Sequence, residues 1–374
     1  MSWRPCRLGD VLTLKRGHDL PEHSRQDGDV PVVFSSGITG RHKEAKAKAP
    51  GVVTGRYGTI GEVFYLEEDY WPLNTALYVI DFKGNDPRFS AYFLRNVLKG
   101  YQSEKAAVPG VDRNVLHEIK VRAPSHALQL RIADTLSTYD DLIENNRRRM
   151  ALLEESVRQL YSEWFVRLRF PGHEHTSIVN RVPRGWEQVP TPAAIDINPK
   201  IKLSDDDEHW FVEMANLPTD SMVIQGAAMR DGRSGPKFQN RDTLLARITP
   251  CLENGKTGFV DFMSDGEAGR GSTEFIVLRS KRVTPEFVYC LARTYEFRGN
   301  AIKSMVGSSG RQRVQESCFE KFMVYVPPAS LLRLFSEFTE PAFEQIKILA
   351  SQNQKLRAAR DLLLPRLMSG ELAA

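Results

Sequence analysis

Residues 128–166 read LQLRIADTLSTYDDLIENNRRRMALLEESVRQLYSEWFV. Apolar side chains recur there with a seven-residue period, at Leu136, Ile143, Met150, Val157 and Trp164, and a second series interleaves at Tyr139, Asn146, Leu153 and Leu160. Two such series are the a and d positions of a helix that pairs with another helix. No proline interrupts the stretch, so the pattern predicts one continuous helix, roughly 50 Å long. Moving 203 residues along the chain lands on Ala342, Ile346, Leu349, Asn353, Leu356, Leu363 and Leu367, a second seam of the same register. Thr339 and Arg360 are its weak positions, and Pro341 and Pro365 predict a less regular helix. A single helix cannot bury its own seam. Two in one polypeptide can bury each other's, and pairing between two chains is the alternative. In an antiparallel intrachain pair, Asn146 and Asn353 fall within about one turn of each other, where a bond between them would fix the register.

The second seam is part of a longer repeat. Early in each half stands a tryptophan-led entry, Ser2-Trp3-Arg4 and Gly185-Trp186-Glu187. Glycine-punctuated β-like runs follow, Val52–Phe64 and Leu244–Val260, then short apolar helices, Phe89–Val97 and Phe287–Tyr295. Each half continues with a glycine-and-arginine loop, Pro109–Arg113 and Ser309–Arg313, and a β run into proline, Ile119–Pro124 and Met323–Pro327. A period of about 200 residues marks a duplicated domain and not a solenoid. The expected fold is α+β: two globular parts, each followed by a long helix, with the two helices packed as an antiparallel coiled coil. The boundaries are 1–127 and 185–330 for the globular parts, 128–166 and 331–374 for the helices, and 167–184 for a linker. The helix seam comprises Leu136, Ile143, Asn146, Met150, Leu153, Val157, Leu160, Ile346, Leu349, Asn353, Leu356 and Leu363. Leu152, Leu160, Tyr161, Phe165, Leu362, Leu364 and Leu367 make the helices more apolar than a solvated face requires, either to dock partner helices or to complete the seam.

Composition excludes several classes. A hydrophobic fraction of 41% with 26% charged residues is that of a globular protein and not a disordered one. No run approaches the roughly 18 apolar residues of a membrane-spanning helix, and the start lacks a signal-peptide pattern, so the expected compartment is the cytoplasm. Cys6, Cys251, Cys290 and Cys318 form no CxxC pair and stand as free thiols; no metal is expected. Asp205–Glu208 is either a solvated acidic loop or a weak Mg²⁺ site. A methyltransferase would need an Asp/Asn-Pro-Pro-aromatic motif and a glycine-rich cofactor loop, and an ATPase a phosphate-binding loop. The sequence has none of them; Ile197-Asn198-Pro199-Lys200 is the nearest relic of the first. A nuclease of the Asp…Glu-x-Lys type has too weak a pattern to exclude. No catalytic residue is assigned.

The loops are suited to DNA. Net charge is +4, which permits nucleic-acid binding without requiring it. Arg41, Lys43 and Lys46 form a basic cluster, for phosphate contact or merely for solvation. Arg56, Tyr57 and Thr59 lie in a turn whose glycines let backbone amides approach a duplex; an ion-paired β-turn is the alternative. Arg113, Arg247, Lys256 and Arg270 add donors. Ser309, Arg311, Gln312 and Arg313 form the densest donor cluster: arginine reads guanine and glutamine reads adenine by paired hydrogen bonds, although an arginine here could instead tie down its loop.

Taken in order, GVVTGRYGTIGEVFYLEEDYWPLNTALYVIDFKGNDPRF, IADTLSTYDDLIENNRRRMALLEESVRQLYSEWFV, DTLLARITPCLENGKTGFV and SMVGSSGRQRV resemble the specificity subunits of type I restriction–modification systems, over nearly the whole chain. The resemblance implies that each globular part is a target recognition domain reading one half of a split DNA site, and that the helices are spacers setting the gap. It implies as partners double-stranded DNA, two methyltransferase (modification) subunits and restriction/translocase subunits. It places S-adenosylmethionine in the modification subunits and ATP and Mg in the restriction subunits, with no cofactor on this chain. Recognition domains are the family's variable part, so no base-contacting residue is carried over by position. A self-contained enzyme with fused recognition domains and a protein-binding scaffold remain the other classes.

Overall fold

The computed structural model describes residues 3–56, 61–104, 111–204, 207–232, 234–308 and 310–373, with backbone alone for 100–104. The chain is α+β and divides into two units, Met1–Glu144 with Gln354–Ala374, and Asn145–Asn353. Two long helices, His126–Tyr161 and Ala329–Ser369, each contribute residues to both units.

The first unit holds a four-stranded antiparallel sheet in the order Thr13–Arg16, Ala76–Asp81, Gly51–Gly55, Val63–Leu66. Gly51–Gly55 is buried at every position, which is why its sequence does not alternate. Helix Pro87–Glu104 covers this sheet, and Phe89, Phe93 and Leu94 share a core with Val52, Val63 and Leu77. A second sheet has Val30–Phe34 between Gly37–His42, antiparallel, and Trp71–Pro72, parallel. Strand Trp3–Arg7 pairs antiparallel with Lys120–Pro124, which leads into the first long helix. Leu128, Ile132 and Leu136 of that helix lie in the same core as Leu364, Leu367 and Met368 of the second.

The second unit repeats the plan. Its antiparallel sheet runs Ile195–Ile197, Phe275–Ser280, Thr243–Ala246, Thr257–Phe259, the same order by position along the chain as in the first unit. Its entry strand Glu187–Pro190 likewise pairs with the strand before the final helix, Met323–Val326. Helix Pro285–Arg293 starts where the Thr284 hydroxyl accepts from the Phe287 amide and proline takes the first turn. The outer sheet is enlarged to four strands, with Ala228–Arg230, His209–Val212, Ala268–Gly271 and Lys237–Gln239 in that order.

Within the second unit the long helices run antiparallel. The Phe335 ring lies 4.9 Å from that of Phe165, while Asn146 donates to Asn353 at 3.0 Å. The bond expected from the polar seam positions is therefore present. Of the seam residues, Leu136, Ile143, Asn146, Val157, Ile346, Leu349 and Asn353 are buried, and Met150, Leu153, Leu160, Leu356 and Leu363 are half-buried. Two features of the helices stood open in the sequence. The second helix runs through Pro341 and Pro365 without a break. Proline removes one donor, but packing on the paired helix outweighs that loss; Gly370, at φ +79, ends the helix instead. Tyr161, Phe165, Leu364 and Leu367 are buried, and Leu160 is half-buried, so they complete the interior and offer no docking face. Leu152 and Leu362 alone of that group are exposed.

Asn146→Ala strips a bond from an amide that is 1% exposed, and denaturant unfolding is expected to show a cost of about 1–3 kcal/mol. Replacing both asparagines by leucine is expected to cost less than Asn146→Ala, because neither half of the amide pair is left behind.

Candidate nucleic-acid interface

In the first unit the tertiary fold brings Arg56 and the segment 111–113 together. The Arg56 amide donates to the Thr75 carbonyl, and the Val111 amide donates to the Arg56 carbonyl at 3.0 Å. This sets Arg56 beside the loop that carries Arg113, which is exposed at the start of helix Arg113–His117. Asp112 caps that helix, its carboxylate accepting from the Asn114 amide. The basic cluster occupies the edge strand Gly37–His42 and the segment after it. Arg41, Lys43 and Lys46 are all exposed. Arg41 donates to the Asp29 carbonyl. The Lys46 ammonium stands 5.1 Å from the centre of the Trp71 ring. His18, against Trp71 and Tyr78, is held below its ordinary pKa by burial, and further by the charges of Lys15 and Lys46. Tyr57 and Thr59 lie outside the described residues.

The second unit makes the same junction. The Val314 amide donates to the Arg247 carbonyl at 2.9 Å, the counterpart of the Val111–Arg56 bond. The Thr249 amide donates to the Gln312 carbonyl at 3.0 Å, and the Gln312 amide returns a bond to the Thr249 hydroxyl at 2.9 Å. The loop 310–313 is thereby held by its backbone. Arg311 is exposed and Gln312 half-buried. Ser309 lies outside the described residues.

Several predicted donors are engaged within the protein. Arg313 makes a forked ion pair with Glu274 at 2.6–3.0 Å, and these bonds hold the Glu274 carboxyl below the usual carboxylate range. Arg247 pairs with Glu316 at 3.3 Å and donates to the Val314 carbonyl. Lys256 donates to the Met214 carbonyl at 2.7 Å. Each ties a loop to its neighbour, and for Arg313 this is the alternative that its loop left open. Arg270 is 3% exposed and donates to the Ser204 carbonyl, so its position does not support the expected DNA contact. Its strand, Ala268–Gly271, lies inside the outer sheet, and no local pattern in the sequence marks that.

Two arginines escaped the sequence reading. Arg25 lies over the Phe34 ring at 5.2 Å, next to the basic edge strand. Arg298 reaches the 247–256 loop at Gly255, where a Cβ would stand 2.6 Å from its Nη1. Neither belongs to a local charge cluster, and only the fold delivers them.

Among the described residues, no group of histidine, cysteine and carboxylate side chains is arranged to hold a metal ion. No helix among them is long and apolar enough to cross a membrane. All four cysteines are free, and burial pushes the Cys290 thiol far up, which makes it inert.

Residues 2–155 match the family model described as the type I restriction modification DNA specificity domain. The chain is 24% identical over 279 residues to the type I restriction enzyme MjaIX specificity subunit of Methanocaldococcus jannaschii, covering 71% of this chain and 63% of that protein. It is 30% identical over 156 residues to the EcoEI specificity subunit of Escherichia coli, covering 39% of this chain and 26% of the relative. The chain thus spans less than two thirds of the length of either relative. A crystal structure of the type I restriction–modification S subunit from M. genitalium superposes with a TM-score of 0.59 at 14% identity, covering 98% of this chain and 96% of that one. That similarity concerns the fold.

Proposed function

We propose that this chain, whose residues 2–155 match the type I restriction modification DNA specificity domain, reads a split DNA target for a restriction–modification complex. One observation carries the reading. Each unit places an arginine-bearing segment, 111–113 or 310–314, against a second arginine through the same backbone bond, Val111 to Arg56 and Val314 to Arg247, on sheets of matching order. Duplicated heads with duplicated donor loops are what two half-sites require. The heads are residues 1–127 and 185–330, and the two long helices form an antiparallel coiled coil that fixes the gap between half-sites.

The chain itself is non-catalytic in this reading. The exposed leucines Leu152 and Leu362 on the outer helix faces help to dock two methyltransferase subunits, which hold S-adenosylmethionine and methylate adenine N6. Restriction/translocase subunits add ATP and Mg chemistry. The complex works in the cytoplasm. Exposed arginine and lysine side chains take phosphates and set the salt dependence, while base edges set the sequence.

The test is methylome sequencing of cells expressing this chain with a modification subunit from the same locus. A bipartite motif with a fixed gap supports the reading, and methylation by the purified chain alone would defeat it. Arg311→Ala removes an exposed guanidinium that closes no ion pair described above. Its expected effect is weaker duplex binding and a salt slope lower by about one. Unchanged affinity and slope would remove Arg311 from the interface.

A further inference from the structure

Each unit joins its sheet-covering helix to the first long helix through a buried tyrosine. In the first unit, Tyr92 on helix Pro87–Glu104 donates to Asp140 at 2.5 Å, and Arg360 of the second long helix pairs with the same carboxylate. In the second unit, Tyr289 on helix Pro285–Arg293 donates to Glu154 at 2.5 Å, and Arg293 stands 3.6 Å from that carboxylate. The parallel extends to the rings. Arg95 lies over Tyr92 at 5.6 Å, and Arg293 lies over Tyr289 at 5.7 Å. Both tyrosines are pushed above their ordinary pKa, by burial first, so each hydroxyl keeps its proton and remains a donor.

The rest of each head's contact with the helices combines apolar packing with a few further bonds: Gln129 to Asn85 and the Asp86 amide in the first unit, and Arg241 to Glu340 and the Met222 amide to Glu154 in the second. Apolar packing is non-directional and tolerates small slides and rotations. A hydroxyl aimed at one carboxylate oxygen does not, because a charge-assisted hydrogen bond weakens steeply with distance and angle. Arg88 also reaches Asp141 from the first head, but at 3.9 Å and with the aspartate exposed, so it locks little.

We propose that the Tyr92–Asp140–Arg360 and Tyr289–Glu154–Arg293 clusters are positioning latches that fix each recognition head axially and rotationally on the spacer helices, and so set how strictly one gap length is accepted. This rests on the split-target reading above. The tyrosines contact no base and leave the identity of each half-site to the loops.

The test uses the intact complex in cells carrying a plasmid library whose target gap varies by up to two base pairs either side of the native one. Tyr92→Phe and Tyr289→Phe, singly and together, each remove one oxygen and keep the ring. Off-by-one gaps are expected to gain methylation relative to the native gap by roughly tenfold in the double variant. Both half-site sequences should stay as they are. Leu98→Val and Val288→Ala lie in the same two helices, both 1% exposed, and serve as controls that lower the melting temperature without touching a latch. Gap preference unchanged in the folded double variant overturns the proposal, as does an equal broadening in the controls. A wild-type chain with no fixed gap would instead overturn the split-target reading itself, before any variant is compared.

Discussion

Glu154→Ala is expected to destabilise the second unit by about 3–5 kcal/mol, the cost of leaving a buried charge without its counter-charge. Glu154 is 4% exposed near the C-terminal end of the first long helix. One carboxylate oxygen accepts from the Tyr289 hydroxyl, the other from the Met222 amide at 2.8 Å. Arg293, 8% exposed, faces it and donates in turn to the carbonyls of Thr219, Ser221 and Gly255. One carboxylate thus organises a tyrosine, an arginine and, through that arginine, the 219–221 and 255 loops. Removing it orphans a donor amide and a phenol and leaves the guanidinium facing carbonyls alone. Glu154→Gln keeps an acceptor and is expected to cost less. Urea unfolding at neutral pH measures both. A loss below about 1 kcal/mol for the alanine variant would mean that water replaces the carboxylate and that the cluster is not closed. The loss does not imply that the ion pair is the most stable arrangement available, since well-packed apolar substitutes for such pairs are often neutral or better.

Exchange of residues 180–330 for the corresponding domain of a relative is expected to replace one half of the methylated motif entirely while leaving the other half and the gap unchanged. The basis is that each unit closes its own donor junction: the Arg247 and 310–313 loops bond each other and the Arg56 and 111–113 loops bond each other. Methylome sequencing of the hybrid reads the outcome directly. A change in both halves would end the two-reader account. A change in the gap alone would shift the measuring role from the helices to the exchanged head.

Much of this was legible without coordinates. The heptad seam, the antiparallel partner asparagines and the paired loops all follow from patterns within one segment or from one segment compared with its repeat. Other features depend on packing that no local pattern shows. Pro341 and Pro365 argue for a less regular helix by local propensity, yet Ala329–Ser369 runs through both. Arg270 has the composition of a donor and the burial of a core residue. Arg313 and Arg247, donor-rich by sequence, spend their donors on Glu274 and Glu316. Glu154, following a d position in the heptad, has the charge of a solvated face and is buried. Shifted by the 203-residue repeat, the Asp140 position becomes Phe343, so the repeat does not reveal that both tyrosine acceptors come from the first long helix.

The amino-acid sequence by itself determined the α+β class, the two long helices, their shared register and the duplication, because apolar periodicity is a local property that survives whatever the chain later packs against. Only the tertiary structure decided which polar side chains meet, which guanidiniums remain exposed and which carboxylates receive the tyrosines. Those depend on groups brought together from as far apart as Glu154 and Tyr289, and on a burial that no single stretch of sequence encodes.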